Sequence, residues 1–290
     1  MSFYQYYFEI GNKSRLADIV VVLSGYLKKD EKGSIPKTIS QCYIPLRKIR
    51  SEKQYNDIYQ KNIDVLMINF SAWKKSRGDG NCYYRSVIST FLIKLFFYNS
   101  PDEKIESFLS KINQFYYSSN YQQHMQTIAD FWGKINYLFQ LRKTTPENKI
   151  KAFVEIHKEL QNLEFDLSAI LVARIISHYT LWTSHEKYAS FFMEGEIEFL
   201  FVNIMEMGSE AESQELYFLP EGLDIEVTQI NIFDRLITNH FPSEDLTGQK
   251  IKVSIISKSR GHYDCLYSKN EMESEGYNLS RRAYCYSCPT

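Results

Sequence analysis

The sequence predicts an α+β domain, on three observations. Apolar residues first recur at helical spacing, from Tyr55 into the 180s. From about Leu223 they alternate strand-fashion, and a Gly-containing turn joins the last two alternating runs into a hairpin.

The elements follow in chain order. Residues 1–43 read as an N-terminal extension, with the turn-prone stretch Lys28 to Ser34 inside it. The run Ile19-Val20-Val21-Val22-Leu23 is too short to span a bilayer and reads as a buried strand or short core helix. Tyr55, Ile58, Tyr59, Ile63, Leu66, Met67 and Phe70 set out a first helix. The loop Ser76 to Asn81 follows, and a second helix begins near Cys82, with Val87, Ile88, Phe91, Leu92, Leu95 and Phe96 as its apolar set. Pro101 and Pro146 each sit where a first helical turn tolerates proline, so separate helices are expected after them. Trp132 to Leu141 and Leu167 to Trp182 read as further helices, the latter apolar enough to be buried. LDIEVTQINIF from Leu223 alternates as a strand; IKVSII (251–256) and HYDCLY (262–267) make the hairpin across Ser259-Arg260-Gly261.

Composition removes several classes of function. With 34 basic and 35 acidic residues the net charge is -1, which leaves no electrostatic footprint for nucleic acid or an anionic membrane as main partner. The opening MSFYQYYFEI lacks the basic start and apolar core of a secretory signal. Five widely spaced cysteines (Cys42, Cys82, Cys265, Cys285 and Cys288) then read as reduced thiols inside a cell.

A nucleophilic thiol needs thiolate character, a neighbouring base and a group that orients the base. Cys82 lies at the predicted start of a helix, whose positive end favours a thiolate. The Gly78-Asp79-Gly80 turn lets the backbone approach a carbonyl closely, and its N–H groups can receive an oxyanion. His262 and Asp264, two apart on a predicted strand, leave the same face, so the carboxylate can hold one ring nitrogen while the other addresses a thiol. Cys265 faces the other way and reads as a core thiol. A cysteine on one element and a histidine on another is by itself a weak signal, and the local sequence at both ends strengthens it.

GDGNCYYRSV (78–87) resembles the nucleophile motif of the ovarian-tumour-domain (OTU) deubiquitinases, and GHYDCLY (261–267) resembles their catalytic histidine strand. Two further stretches, from Pro45 and over 170–192, point to the otubain branch, and a third leads into the histidine strand. PLRKIRSEKQYNDIYQKNIDVL from Pro45 is similar to the helical lead-in, and residues 170–192 and 205–227 resemble the family's apolar helix and the segments before the histidine. The likeness runs from about Tyr43 to Ser268.

The resemblance implies a papain-like OTU cysteine protease fold, with a small central β-sheet packed between helical layers and a helical arm. It implies an otubain-like catalytic domain over 44–270 and a C-terminal tail over 271–290. Residue by residue it implies Cys82 as nucleophile, His262 as base and then acid, Asp264 as orienting carboxylate, and Asp79 as the residue shaping the oxyanion site. The oxyanion loop would comprise Gly78, Asp79, Gly80, Asn81 and Cys82. Read from the sequence alone, Asp79 is a turn residue capping the helix. Arg85 matches a motif position and is given no catalytic role. The implied activity is hydrolysis of isopeptide bonds at the ubiquitin C-terminus, with no metal or cofactor. Ubiquitin or polyubiquitin chains, ubiquitinated proteins and ubiquitin-conjugating enzymes are the implied partners, in the cytoplasm and also the nucleus. A catalytically silent ubiquitin-binding or conjugating-enzyme-restraining protein, and a protease for another ubiquitin-like modifier, stay open. Cys285 and Cys288 form a single CxxC, two of four zinc ligands, so no zinc site is expected there. His124, His157, His178, His185 and His240 show no metal spacing and are expected at the surface or in the core.

Overall fold

A computed structural model describes residues 38–40, 43–53, 55–97, 99–188, 192–193, 195–211, 214–242 and 250–273. The expectations for Ile19–Leu23, for the Lys28–Ser34 turn and for Cys42, Cys285 and Cys288 lie outside these residues.

The chain enters with strand β1 (Ile44–Pro45), a 3-10 turn (Leu46–Lys53), helix α1 (Asp57–Asn69) and strand β2 (Phe70–Lys74). Asn56 starts α1 by accepting a hydrogen bond from the Tyr59 N–H at 2.9 Å. The first helix is therefore shorter than its apolar pattern. Phe70 is already extended and opens β2, while Tyr55 and Ile58 face solvent at 94% and 58% exposure. Helix α2 (Cys82–Leu95) follows, then α3 (Asp102–Tyr116), α4 (Met125–Thr144), α5 (Pro146–Glu159) and α6 (Leu163–Tyr188). Pro101 is the N-cap of α3. Pro146 fills the first turn of α5 behind Thr145, whose hydroxyl accepts from the Asn148 N–H. Helices α7 (Glu196–Met205) and α8 (Phe218–Leu223) lead into β3 (Ile225–Asn231), β4 (Ile237–Phe241), β5 (Ile251–Ser259) and β6 (His262–Ser268), and α9 (Lys269–Glu273) ends the described part.

The expectation of helices first and a compact sheet last needs correction. One six-stranded sheet runs β1-β2-β6-β5-β3-β4, so two of its strands, β1 and β2, come from ahead of helices α2 to α8. β3 and β5 pair in parallel and the remaining neighbours antiparallel. The β5–β6 hairpin forms as the alternation implies. Each strand then sends alternate residues to opposite faces. Val253, Ile255, Cys265 and Tyr267 point into the large core under α2 to α6, while Ile256, Leu266 and Trp73 point into a smaller one under α1 and the 3-10 turn. The sheet thus lies between two helical layers. Helices α3 to α5 dock on the rest through Phe91–Phe108, Phe97–Phe153 and Phe131–Phe165 ring contacts. No helix among the described residues is long and apolar enough to cross a membrane.

Helix α2 occupies the centre. From Cys82 to Ile93 every side chain is buried, including Arg85, Ser86, Ser89 and Thr90. A helix buried on all sides is held rigidly, and Ser86 ties it to β6 by donating to the Tyr263 carbonyl at 2.9 Å. The start of this helix is therefore fixed relative to the start of β6.

Candidate active site

Cys82 is the first residue of α2 and His262 the first of β6; the fold brings these two element starts together. The Cys82 thiol donates to the Gly261 carbonyl at 3.2 Å and lies within hydrogen-bonding reach of the His262 ring. On its other side the ring meets the acid, with Nε2 3.1 Å from Asp264 Oδ1. Nδ1 therefore faces the thiol side, where a Cβ on Gly78 would sit 3.5 Å from it. Asp264 is fully buried. Its Oδ1 also accepts from the Ser76 N–H at 2.7 Å, and its Oδ2 lies 3.0 Å from Lys258 Nζ.

The electrostatics follow from these contacts. The Asp264 hydrogen bond, then that of Cys82, pushes the His262 pKa up to about 10 against the opposing effect of burial. For Asp264, burial pushes upward, but the His262 hydrogen bond, the Lys258 charge and the Ser76 N–H outweigh it and hold the carboxyl below its usual value. His262 is thus an imidazolium at neutral pH, between a sulfur and a carboxylate.

The loop before Cys82 is equally constrained. Gly80 has φ +79°, and a Cβ there would come 1.7 Å from the Gly208 carbonyl oxygen, so only glycine fits. Asn81 is the N-cap of α2 but makes no side-chain cap. Its Oδ1 instead accepts from Arg174 Nη2 at 2.8 Å and from the Gly208 N–H at 2.9 Å. With that side chain diverted, Asn81 leaves the first N–H groups of α2 uncapped, and a developing oxyanion at Cys82 could receive them.

Asp79 does not cap the helix. Arg85 Nη1 and Nη2 bind its two oxygens at 2.7 and 2.8 Å, and Oδ1 also accepts from the Asn81 N–H at 3.1 Å. Burial raises its pKa, and the Arg85 contacts overcome that and hold it low. Arg85 in turn binds Asp166 of α6 through Nε at 2.9 Å and Nη2 at 3.0 Å. The aspartate shapes the loop from behind rather than capping α2.

All four residues singled out from the sequence meet here: Cys82, His262 and Asp264 in line, Asp79 one layer behind. Sequence reading gave Arg85 a motif position without a role, and it missed the other supports: Asp166, Arg174, Ser76 and Lys258. Two of them carried a signal. Arg174 is a charge inside the helix read as apolar enough to be buried, Asp166 stands directly before it, and a buried charge requires a partner. Cys265 faces away as expected, its sulfur 3.6 Å from the Ser86 carbonyl, and burial raises its thiol pKa. His157 packs edge-on against Tyr43 and Phe153, and His178 meets the Tyr121 hydroxyl at 3.0 Å, both far from this chemistry in role. Among the described residues no group of three His, Cys, Asp or Glu side chains could hold a metal.

Fold and site together are of the class in which a helix-borne thiol faces a strand-borne imidazole and carboxylate, the arrangement of Cys–His–acid hydrolases. The chain belongs to the otubain family, peptidase family C65, whose family model matches residues 31–268. Among solved structures it is similar to ceOTUB1 in a complex with ubiquitin aldehyde and UBC13~Ub, with a TM-score of 0.66 and 16% identity over 86% of this chain and 98% of that one. It is also similar to h/ceOTUB1 with ubiquitin aldehyde and UBC13~Ub (TM-score 0.64, 17% identity, 88% of this chain and 100% of that one). A third, h/ceOTUB1 with ubiquitin aldehyde and UBCH5B~Ub, gives a TM-score of 0.63 at 15% identity, over 87% of this chain and 98% of that one. At such identities the likeness is one of fold. No curated protein sequence matches.

Proposed function

We propose that the protein is a deubiquitinating cysteine protease that hydrolyses isopeptide bonds at the ubiquitin C-terminus. The observation that carries the reading is the His262 ring between Cys82 and Asp264, at a helix start whose N–H groups have no side-chain cap. Otubain family membership supports it, as do the solved relatives of the same fold in complex with ubiquitin aldehyde.

In this reading Cys82 reacts as the thiolate, its proton carried by the His262 imidazolium, and its sulfur attacks the carbonyl carbon of the terminal ubiquitin glycine. The carbonyl oxygen takes up negative charge against the N–H groups at the start of α2 and in the loop from Gly78 to Cys82. As the tetrahedral intermediate collapses, the C–N bond breaks and the His262 imidazolium gives its proton to the leaving lysine amine. A thioester remains on Cys82. His262, now neutral, takes a proton from water, whose oxygen attacks the thioester and releases the ubiquitin carboxylate with the thiolate as leaving group. Asp264 orients the ring and stabilises its cationic form, and Asp79 holds the loop in shape through Arg85.

We assign this activity to residues 44–270 and place it in the cytoplasm and nucleus. Polyubiquitin chains and ubiquitinated proteins are the proposed substrates. Ubiquitin-conjugating enzymes are proposed as further partners, because the solved relatives are complexes with UBC13~Ub and UBCH5B~Ub. That observation also favours a second reading, restraint of conjugating enzymes without cleavage.

Ubiquitin carrying a thiol-reactive electrophile at its C-terminus separates the two when the intact mass of the product is measured. One adduct on the wild type and none on Cys82→Ala is expected. A folded wild type that gives no adduct would sink the deubiquitinase reading and leave the silent binder or a protease for another ubiquitin-like modifier, which probes built on other modifiers then separate.

A further inference from the structure

Strand β5 carries one residue more than its partner. Ser257 opposes Tyr263 and Ser259 opposes His262, so Lys258 is a bulge directly across from the start of β6. A bulge bends a strand and re-aims a side chain. Here it turns a lysine into the protein, 7% exposed, on the face of the sheet that carries Ile256 and Trp73. The ammonium has three neighbours. Asp264 Oδ2 lies at 3.0 Å, the two Glu52 oxygens at 3.1 and 3.3 Å, and the Trp73 ring centroid at 3.7 Å. Glu52 belongs to the 3-10 turn ahead of α1 and also meets Lys75 Nζ at 3.6 Å. A continuous line therefore runs from Cys82 through His262, Asp264 and Lys258 to Glu52 at the protein edge.

We propose that Lys258 is a positioning residue of this active site, pinning the Asp264 carboxylate from behind so that Oδ1 stays on the His262 ring. The proposal rests on Asp264 acting as the orienting acid. A carboxylate held only at Oδ1, by His262 and the Ser76 N–H, can still turn about its Cβ–Cγ bond. With Oδ2 against an ammonium that Glu52 and Trp73 hold in place, its plane is fixed. Other polar groups facing the line are the Tyr59 phenol, which faces both Glu52 and Asp264, and Glu210, whose carboxylate occupies the space beside Gly261. Neither supplies a cation to Asp264.

The test uses ubiquitin bearing a fluorogenic C-terminal amide, with kcat and KM measured for the wild type, Lys258→Met, Lys258→Arg, Asp264→Asn and the Lys258→Met/Asp264→Asn double variant. Lys258→Met is expected to lower kcat about tenfold, below the ~10²–10⁴-fold worth of complete acid–base catalysis, with KM unchanged. Lys258→Arg recovers most of the loss. In the Asp264→Asn background Lys258→Met costs nothing more, because the residue it positions no longer plays its part. Equal losses in both backgrounds, or a folded Lys258→Met with wild-type kcat, overturn the proposal. If Asp264→Asn itself keeps wild-type kcat, the orienting-acid reading falls and takes this one with it. Should Lys258→Met fail to fold, Glu52→Gln tests the outer anchor: a severalfold lower kcat at constant KM supports the proposal, and an unchanged kcat overturns it.

Discussion

Arg85 grips Asp79 with two parallel hydrogen bonds, 2.7 and 2.8 Å long, from the first turn of the helix that Cys82 opens. The same guanidinium binds Asp166, so one buried cation holds two carboxylates, Asp166 buried with it and Asp79 largely so. Burial would depress the charge on Arg85, and the two aspartates reverse that and raise its pKa further. Arg85→Met leaves both aspartates without their main counter-charge. Removing one partner of such a buried set costs about 3–5 kcal/mol. Urea unfolding should show a loss of that order, and a midpoint within error of wild type would refute the account.

A single oxygen atom decides which residue can stand at position 80. The Gly208 carbonyl occupies the space of any Cβ there, and the backbone is left-handed, which alone costs a side chain about 1–2 kcal/mol. Gly80→Ala should lose activity and thermal stability together, because the loop must retreat from residue 208. Gly133, in the interior of α4, is the contrast. A Cβ there meets nothing within 4 Å, so Gly133→Ala should stabilise by about 0.5–1 kcal/mol without touching activity. Melting curves of the two variants moving in the same direction would contradict this.

What could be read in advance follows from how local each signal is. The start of α2 at Cys82, the starts of α3 and α5 at Pro101 and Pro146, and the β5–β6 hairpin are each written in a few adjacent residues. Strand β2 is not. It abuts α1 with no Gly or Pro between them, and three consecutive residues, Ala72, Trp73 and Lys74, are buried, so no alternation marks it. β1 is two residues long, and β4 is mostly exposed. In the site, the motif around Cys82 and the i, i+2 spacing of His262 and Asp264 were legible because each is contiguous. Arg85 and Asp166 are 81 positions apart, and Arg174 and Asn81 are 93 apart. Only the packing of α2 against α6 makes those pairs.

Asp264→Asn removes the largest influence on His262, the hydrogen bond that pushes its pKa up to about 10. The imidazolium required to protonate the leaving amine exists below that value. In the wild type the alkaline limb of the rate profile should therefore lie near 10. In the variant it should move down toward the unperturbed value of about 6.5. The rate at neutral pH should fall by roughly 10²–10⁴. A profile of kcat against pH for the two proteins checks both, and an alkaline limb that stays in place would show that Asp264 does not set the charge of the ring.

Two bases, His262 and Lys74, act on stability in opposite senses. His262 has its pKa raised, so the folded chain keeps a proton that the unfolded chain releases above about 6.5. Its stabilisation is complete below that pH and is lost as pH rises toward about 10. Lys74 is fully buried, and burial lowers its pKa to about 8 despite the opposing charge of Cys265. Between about 8 and the usual 10.4 the unfolded chain holds the extra proton, so this group makes stability rise with pH. In the wild type the two effects oppose each other from about 8 to 10, and their combined contribution should fall only between about 6.5 and 8. Lys74→Met removes the rising part. It also exchanges an ammonium inside the core, stacked 4.5 Å from the Tyr43 ring, for an apolar chain of similar length. The variant should fold, and its urea midpoint should decline throughout pH 6.5–10 where that of the wild type levels off. Parallel curves for the two proteins above pH 8 would mean that Lys74 keeps its ordinary proton affinity in the folded chain.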